Sequence, residues 1–129
     1  MISNTAFTIE EPRFIGHACA NLRPGIATAS EIRELEAKCA AEQVMCVACE
    51  DGMLVFDLRY HGDALELFVW LGVAFRHGAY ERQDAELDHI AFDLGASQIA
   101  FQSRRRGWGR RLRPAWHRRG SDEFVRATR

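Results

Sequence analysis

Leu87-Asp88-His89-Ile90-Ala91-Phe92-Asp93-Leu94-Gly95, followed by Gln98-Ile99-Ala100-Phe101-Gln102, is the stretch on which the fold turns. Leu87, Ile90, Ala91 and Leu94 recur at the spacing of one helical face, with Glu86, Asp88, His89 and Asp93 beside them. Gly95 stands where a helix needs a residue free to adopt positive φ just past its end. Ile99 and Phe101 then alternate, so a short strand follows the helix. Before the helix, Ala64–Ala74 is a long, mostly apolar run of the kind that forms a buried central strand. Strand, helix and strand so close together predict a parallel βαβ crossover.

Upstream of that unit the pattern has period two. In Met53–Tyr60, Leu54, Phe56 and Leu58 share one side, with Asp57 and Arg59 on the other. His61-Gly62-Asp63 and Asp51-Gly52 read as turns, the latter as a two-residue hairpin with positive φ at both positions. Val44–Glu50 reads as another strand, which completes an antiparallel meander of three. Thr28-Ala29-Ser30-Glu31 fits a capping box. Ile32, Leu35, Cys39 and Ala40 continue it as an apolar stripe, predicting a helix over 29–43. The first 25 residues are the least legible, with Arg23-Pro24-Gly25 as a turn. Downstream, the basic stretch Arg104–Arg119 is expected to hold a short helix broken at Pro114, and Glu123–Thr128 a last strand. The expectation is one domain over 1–129: a helical part (1–43), a central sheet with its helix (44–103), and a basic helix with the last strand (104–129).

Composition supports an ordinary folded domain, 47% hydrophobic and 27% charged over 129 residues, which excludes disorder as the main state. The apolar run Leu65–Phe75 is too short to span a bilayer and is interrupted by Glu66. Met1-Ile2-Ser3-Asn4 lacks the basic and apolar start of a signal peptide, so a cytoplasmic location is expected. The net charge of −1 conceals a split: residues 1–100 carry −9 and residues 101–129 carry +8. A basic end on an acidic body suits an anionic partner or intramolecular pairing. Only one residue, Lys38, is a lysine.

Cys46-Val47-Ala48-Cys49 has the spacing of a zinc half-site or a redox pair, but no second ligand pair follows it. On a strand the two thiols would face opposite ways, so Cys19, Cys39, Cys46 and Cys49 are read as reduced thiols and no metal is expected. The five histidines share no ligand spacing.

The order helix, antiparallel meander, βαβ, short helix and last strand resembles the GNAT superfamily of N-acetyltransferases. Residues 87–96 resemble the family's helix ending in leucine-glycine, and Ile99-Ala100-Phe101-Gln102-Ser103 its fifth strand. Arg106-Gly107-Trp108, an Arg-rich helix and a last strand ending in Arg126 are similar to small GNAT-like proteins of tailed bacteriophages and prophages. The resemblance covers about residues 44–129 and implies an α/β fold of the GNAT-like mixed-sheet type.

It implies further that the fourth strand splays from the fifth, and that acetyl-CoA lies along its exposed backbone with the pyrophosphate on the opening amides of the next helix. The residues matching that place are Leu71, Val73, Phe75, Arg76, His77, Gly78, Ala79 and Tyr80. The family loop reads (Arg/Gln)-x-x-Gly-x-(Gly/Ala); here Arg76 and Gly78 stand two apart, and Tyr80 replaces the second small residue. The implied base is Glu66, with Asp57 in reserve, to deprotonate an unknown amine substrate. The competing reading is that both are solvent-facing strand acids. The family's tyrosine acid has no counterpart near Trp108 and Trp116. Two functions stay open: an acetyl-CoA-dependent N-acyltransferase, and a catalytically inactive module. The module would use Arg104–Arg119 on nucleic acid or on a protein partner, and a homodimer through the sheet is a further option.

Overall fold

A computed structural model describes residues 7–22, 24–103 and 115–128, with residues 80 and 81 by backbone alone. Among the described residues seven strands make one mixed sheet: β1 (Thr8–Ile9), β2 (Met45–Ala48), β3 (Gly52–His61), β4 (Ala64–Ala74), β5 (Gln98–Gln102), β6 (His117–Arg119) and β7 (Glu123–Ala127). Their order is β1-β2-β3-β4-β5-β7-β6. Every neighbouring pair is antiparallel except β4 and β5, which are parallel. The helices are α1 (Arg13–His17), which runs on as a π-helical turn over Ala18–Leu22, then α2 (Ala29–Ala40) and α3 (Ala79–Leu94). The expected meander, crossover and final strand are all present.

Helices cover both faces of the sheet. Leu87 and Ala91 of α3 pack on Leu54, Phe56, Leu67, Val69 and Ile99. On the other face Ile15, Ala18, Cys19 and Leu35 pack on Cys46, Met53, Val55 and Val73. Burying these side chains removes apolar surface from water and supplies the main drive for the layered arrangement. Cys46 thus belongs to the α1/α2 side, where burial pushes its thiol up to about 12. Cys49 turns the other way, its Sγ 3.8 Å from Glu86 Oε2 on α3.

Several boundaries differ from expectation. The capping box is formed, with Glu31 N–H donating to Thr28 Oγ1 at 3.1 Å and Thr28 N–H to Glu31 Oε1 at 2.8 Å. However, α2 stops at Ala40 rather than residue 43, because Glu42 adopts φ 61° and Gln43 N–H reaches back to Lys38 O at 2.8 Å. A glutamate in the place usually held by glycine gave no stop signal. Leu94, on the predicted apolar stripe, is 37% exposed, while Gly95 closes α3 at φ 79° as expected. His117–Arg119 is a strand paired with β7, not helix, and Thr8–Ile9 adds an edge strand to the N-terminal part. The remainder of the predicted basic helix, Arg104–Pro114, lies outside the described residues.

The turn at Asp51-Gly52 is also different. Cys49 and Gly52 exchange backbone hydrogen bonds at 2.9 and 3.3 Å around Glu50 and Asp51, and neither Asp51 nor Gly52 has positive φ. Glycine is required at 52 for space: a Cβ there would overlap the Val73 carbonyl oxygen and the Gln83 side-chain amide. Gly52→Ala is expected to cost about 1–3 kcal/mol, as overpacking does when backbone must move, measurable as a lower urea midpoint.

Candidate functional site

The parallel pairing of β4 with β5 runs only from Glu66↔Gln98 to Val69↔Phe101. β4 continues to Ala74, so among the described residues its Trp70–Ala74 edge has no strand partner on that side. A cleft of about 860 Å³ opens at this fork. Trp70, Leu71 and Gly72 of β4 form one wall and Phe101 and Gln102 of β5, with Ser103 just past it, the other; Glu31 and Glu34 of α2 and Gln83 and Asp84 of α3 close the two sides. A smaller hollow of about 420 Å³ beside β1 and α1 lies away from the fork.

The fork begins at a β-bulge. Val55 pairs with Leu71 but Phe56 pairs with Val69, which leaves Trp70 as the extra residue of β4. The bulge lets Trp70 and Leu71 both turn toward the α2 face, since Leu71 packs in the α1/α2 core and Trp70 meets Lys38. The indole N–H donates to Asp57 Oδ1 at 3.1 Å, and the ring stands edge-on to Phe68 at 5.2 Å. The Lys38 ammonium lies 5.0 Å from the ring centroid. A bulge shifts which residues share a face, so strict alternation along the sequence does not reveal it.

Glu66 is fully buried below the fork. Its Oε1 accepts from Gln98 Nε2 at 2.8 Å and Arg119 Nη1 at 2.7 Å; its Oε2 accepts from Arg59 Nε at 3.2 Å and Arg119 Nη2 at 3.1 Å. Burial alone would raise its pKa, but the hydrogen bonds from Arg119, then Gln98 and Arg59, outweigh that and hold the carboxyl at about 2. A carboxylate so placed is a weak base whose lone pairs are already engaged. The geometry makes Glu66 a hub joining β3, β4, β5 and β6, while Asp57, half-buried beside Trp70, borders the fork.

The loop read as the pyrophosphate site leads from β4 into α3. Gly78 is the residue before α3, left-handed at φ 77°, and the Ala79 side chain is buried behind it. Arg76 is turned away onto the β2–β3 turn, 2.8 Å from Glu50 Oε1 and 3.1 Å from Asp51 Oδ1. Arg82 also meets Asp51, at 2.9 and 3.0 Å. The hydrogen bond from Arg82 lowers the Asp51 pKa and more than offsets the effect of burial, with the charges of Arg82 and Arg76 adding to it. Val73 is buried in the α1/α2 core and Phe75 packs against it; His77 is exposed. Of the residues expected at the site, Leu71 alone lines the cleft among those described. The Tyr80 side chain is outside the described set.

Arg126 has a role that the sequence did not announce. Fully buried on β7, it donates to Asp88 at 2.7 and 3.2 Å and to the Asp84 carbonyl at 2.8 Å. Asp84 also accepts from Trp116 Nε1–H at 3.3 Å, and Trp116 lines the cleft. The only visible hint was spacing: Asp84 and Asp88 lie one helical turn apart on one face of α3.

This arrangement, a splayed parallel pair in a mixed sheet with a helix opening beside it, is the fold of GNAT acetyltransferases. A putative acetyltransferase of the GNAT family from Desulfovibrio desulfuricans superposes with TM-score 0.60 at 13% identity, over 95% of this chain and 97% of that one. A mutant AtaT toxin, bound to the C-terminus of the antitoxin AtaR and to acetyl-CoA, matches with TM-score 0.62 at 6% identity, over 98% and 94% of the two chains. The PaiA N-acetyltransferase of Thermoplasma acidophilum, in complex with coenzyme A, gives 0.55 at 11% identity over 95% and 99%. No family model matches the sequence, and no curated protein does. No described helix is long and apolar enough to cross a membrane.

Proposed function

We propose that this chain is an acetyl-CoA-dependent N-acyltransferase whose acceptor is a cationic amine. The observation that carries the reading is the fork at Trp70, which opens an unpaired stretch of β4 into a cleft of about 860 Å³. The backbone of Leu71–Ala74 would hold the pantetheine arm as an added strand would be held. The first amides of α3, behind Gly78, would hold the pyrophosphate. When bound, acetyl-CoA supplies the activated acyl group. The protein's own part is to exclude water, to hold the acceptor amine and to receive its proton. Glu31 and Glu34 favour a cation at the α2 side of the cleft, and Trp70 offers an aromatic face to an ammonium. Asp57 is the proposed proton acceptor, while Glu66 positions the strands.

The phosphate end fits less well than the arm, because Asp51 and Glu50 already neutralise Arg76. That observation favours a second reading, in which the scaffold has lost catalysis and binds nucleic acid or protein through Arg104–Arg119. A likeness to phage-encoded members belongs to this second reading.

Calorimetric titration with acetyl-CoA separates the two. Saturable binding is expected, and Trp70→Asp should weaken it by placing a charge at the fork. An absence of heat at millimolar acetyl-CoA would sink the enzyme reading. Nucleic-acid affinity that falls steeply with salt would then support the second.

A further inference from the structure

We infer that Lys38 is an acyl acceptor in cis, a self-modification site at the mouth of the cleft. The inference rests on the acyltransferase reading above. It begins with position: Lys38, on the last turn of α2, holds its Nζ 5.0 Å from the Trp70 ring centroid. Trp70 is the first β4 residue beyond the last β4–β5 pair, Val69↔Phe101, and it lines the cleft. The indole is itself held, by the Asp57 carboxylate at 3.1 Å and by Phe68 edge-on at 5.2 Å. The ammonium therefore lies against a fixed surface at the fork and is not merely a solvated tip.

Direction gives the second argument. β4 leads from the fork at Trp70 through Ala74 to Gly78, where α3 begins. An extended arm whose phosphates lie on the opening amides of α3 must run back along β4 toward the fork. Its acyl end then faces Trp70. The acceptor has to come from the α2 side, where Glu31 and Glu34 line the cleft, and Lys38 lies one turn beyond Glu34 on the same helix. An aromatic face with nearby carboxylates selects an alkylammonium, and the chain's single lysine already presents one to it.

The step balances without a further reactant. The Lys38 ammonium loses one proton to solvent through Asp57, the proposed acceptor beside Trp70, and the free amine attacks the thioester carbonyl. The new C–N bond forms, the C–S bond breaks, and coenzyme A leaves as its thiol, carrying the second amine proton. The product is a neutral amide, which the indole face no longer attracts as a cation.

Intact-mass and peptide mass spectrometry of the full chain with acetyl-CoA tests this, with the chain unfolded in urea as the measure of spontaneous lysine chemistry. The expected result is one acetyl group on Lys38, added at a rate that saturates with acetyl-CoA and does not depend on protein concentration. It should exceed the unfolded rate by about tenfold or more, the advantage of a positioned amine. Lys38→Arg should abolish it. A second measurement needs no acetyl-CoA: in NMR spectra the Lys38 ε-methylene protons should be shifted upfield by the indole ring, and Trp70→Leu should remove that shift. Equal folded and unfolded rates, or an unshifted ε-methylene, would overturn the assignment. Saturable acetyl-CoA binding with Lys38 unmodified overturns it too, while leaving the acyltransferase reading intact. Failure of acetyl-CoA to bind at all ends both.

Discussion

Arg126→Met is expected to lower stability by about 3–5 kcal/mol, the usual cost of removing one partner from a buried ion pair. The guanidinium is fully buried and binds Asp88 through both carboxylate oxygens, at 2.7 and 3.2 Å. It also holds the Asp84 carbonyl at 2.8 Å, lies 3.4 Å from Asp84 Oδ1, and sits 5.1 Å from the Trp116 ring centroid. Methionine fills much of the volume but supplies no donor, so two acidic side chains of α3 lose their guanidinium in a buried setting. Chemical denaturation should show a lower midpoint at an unchanged slope. Arg126→Met combined with Asp88→Asn should be less damaging than the two single losses added, because the two side chains are partners in one interaction. A loss below about 1 kcal/mol, the range of solvent-exposed pairs, would mean that α3 is not anchored through this residue.

Glu66→Gln is the second large effect, about 2–4 kcal/mol near neutral pH. Four donors converge on the two carboxylate oxygens, two of them from Arg119. An amide offers one oxygen and turns an N–H₂ toward a guanidinium. The pH dependence follows from the same contacts. A carboxyl held at about 2 against an ordinary 4.5 contributes stability that is fully present above about pH 4.5 and is lost as pH falls through about 2. Wild type and Glu66→Gln should therefore converge in urea midpoint as pH is lowered from about 5 toward 2, and differ most above it. If Glu66→Gln instead kept full stability and lost acyl transfer, Glu66 would be the base, and its role as a hub would have to be given up.

Much of the fold could be read from local chemistry. Thr28 and Glu31 form the cap that their spacing implies, Gly95 ends α3 in the left-handed region, and the period-two runs at Met53–Tyr60 and Ala64–Ala74 are strands. These signals act within a few residues, so the chain carries them in linear order. The misjudged places were those where an unusual residue took a familiar role, as Glu42 does at the end of α2, or where a familiar residue took another, as Gly52 does by making room for Val73.

The candidate site was far less legible. The resemblance implies Arg76 as a phosphate ligand; the fold gives it to Glu50 and Asp51, residues distant in sequence. The resemblance implies Glu66 as a base, yet Arg59, Gln98 and Arg119 converge on it from three other strands. Trp70 carries no signal in the sequence, because a bulge has no signature in the alternation it interrupts. The sequence by itself determined the central strands, the two longer helices, their order and the parallel crossover, because hydrophobic period, capping and turn chemistry are local. Only the tertiary structure decided which charges meet, where β4 parts from β5, and that the single lysine lies against the Trp70 ring. Those are contacts between residues far apart in the chain, and their energies depend on the burial and geometry that folding creates.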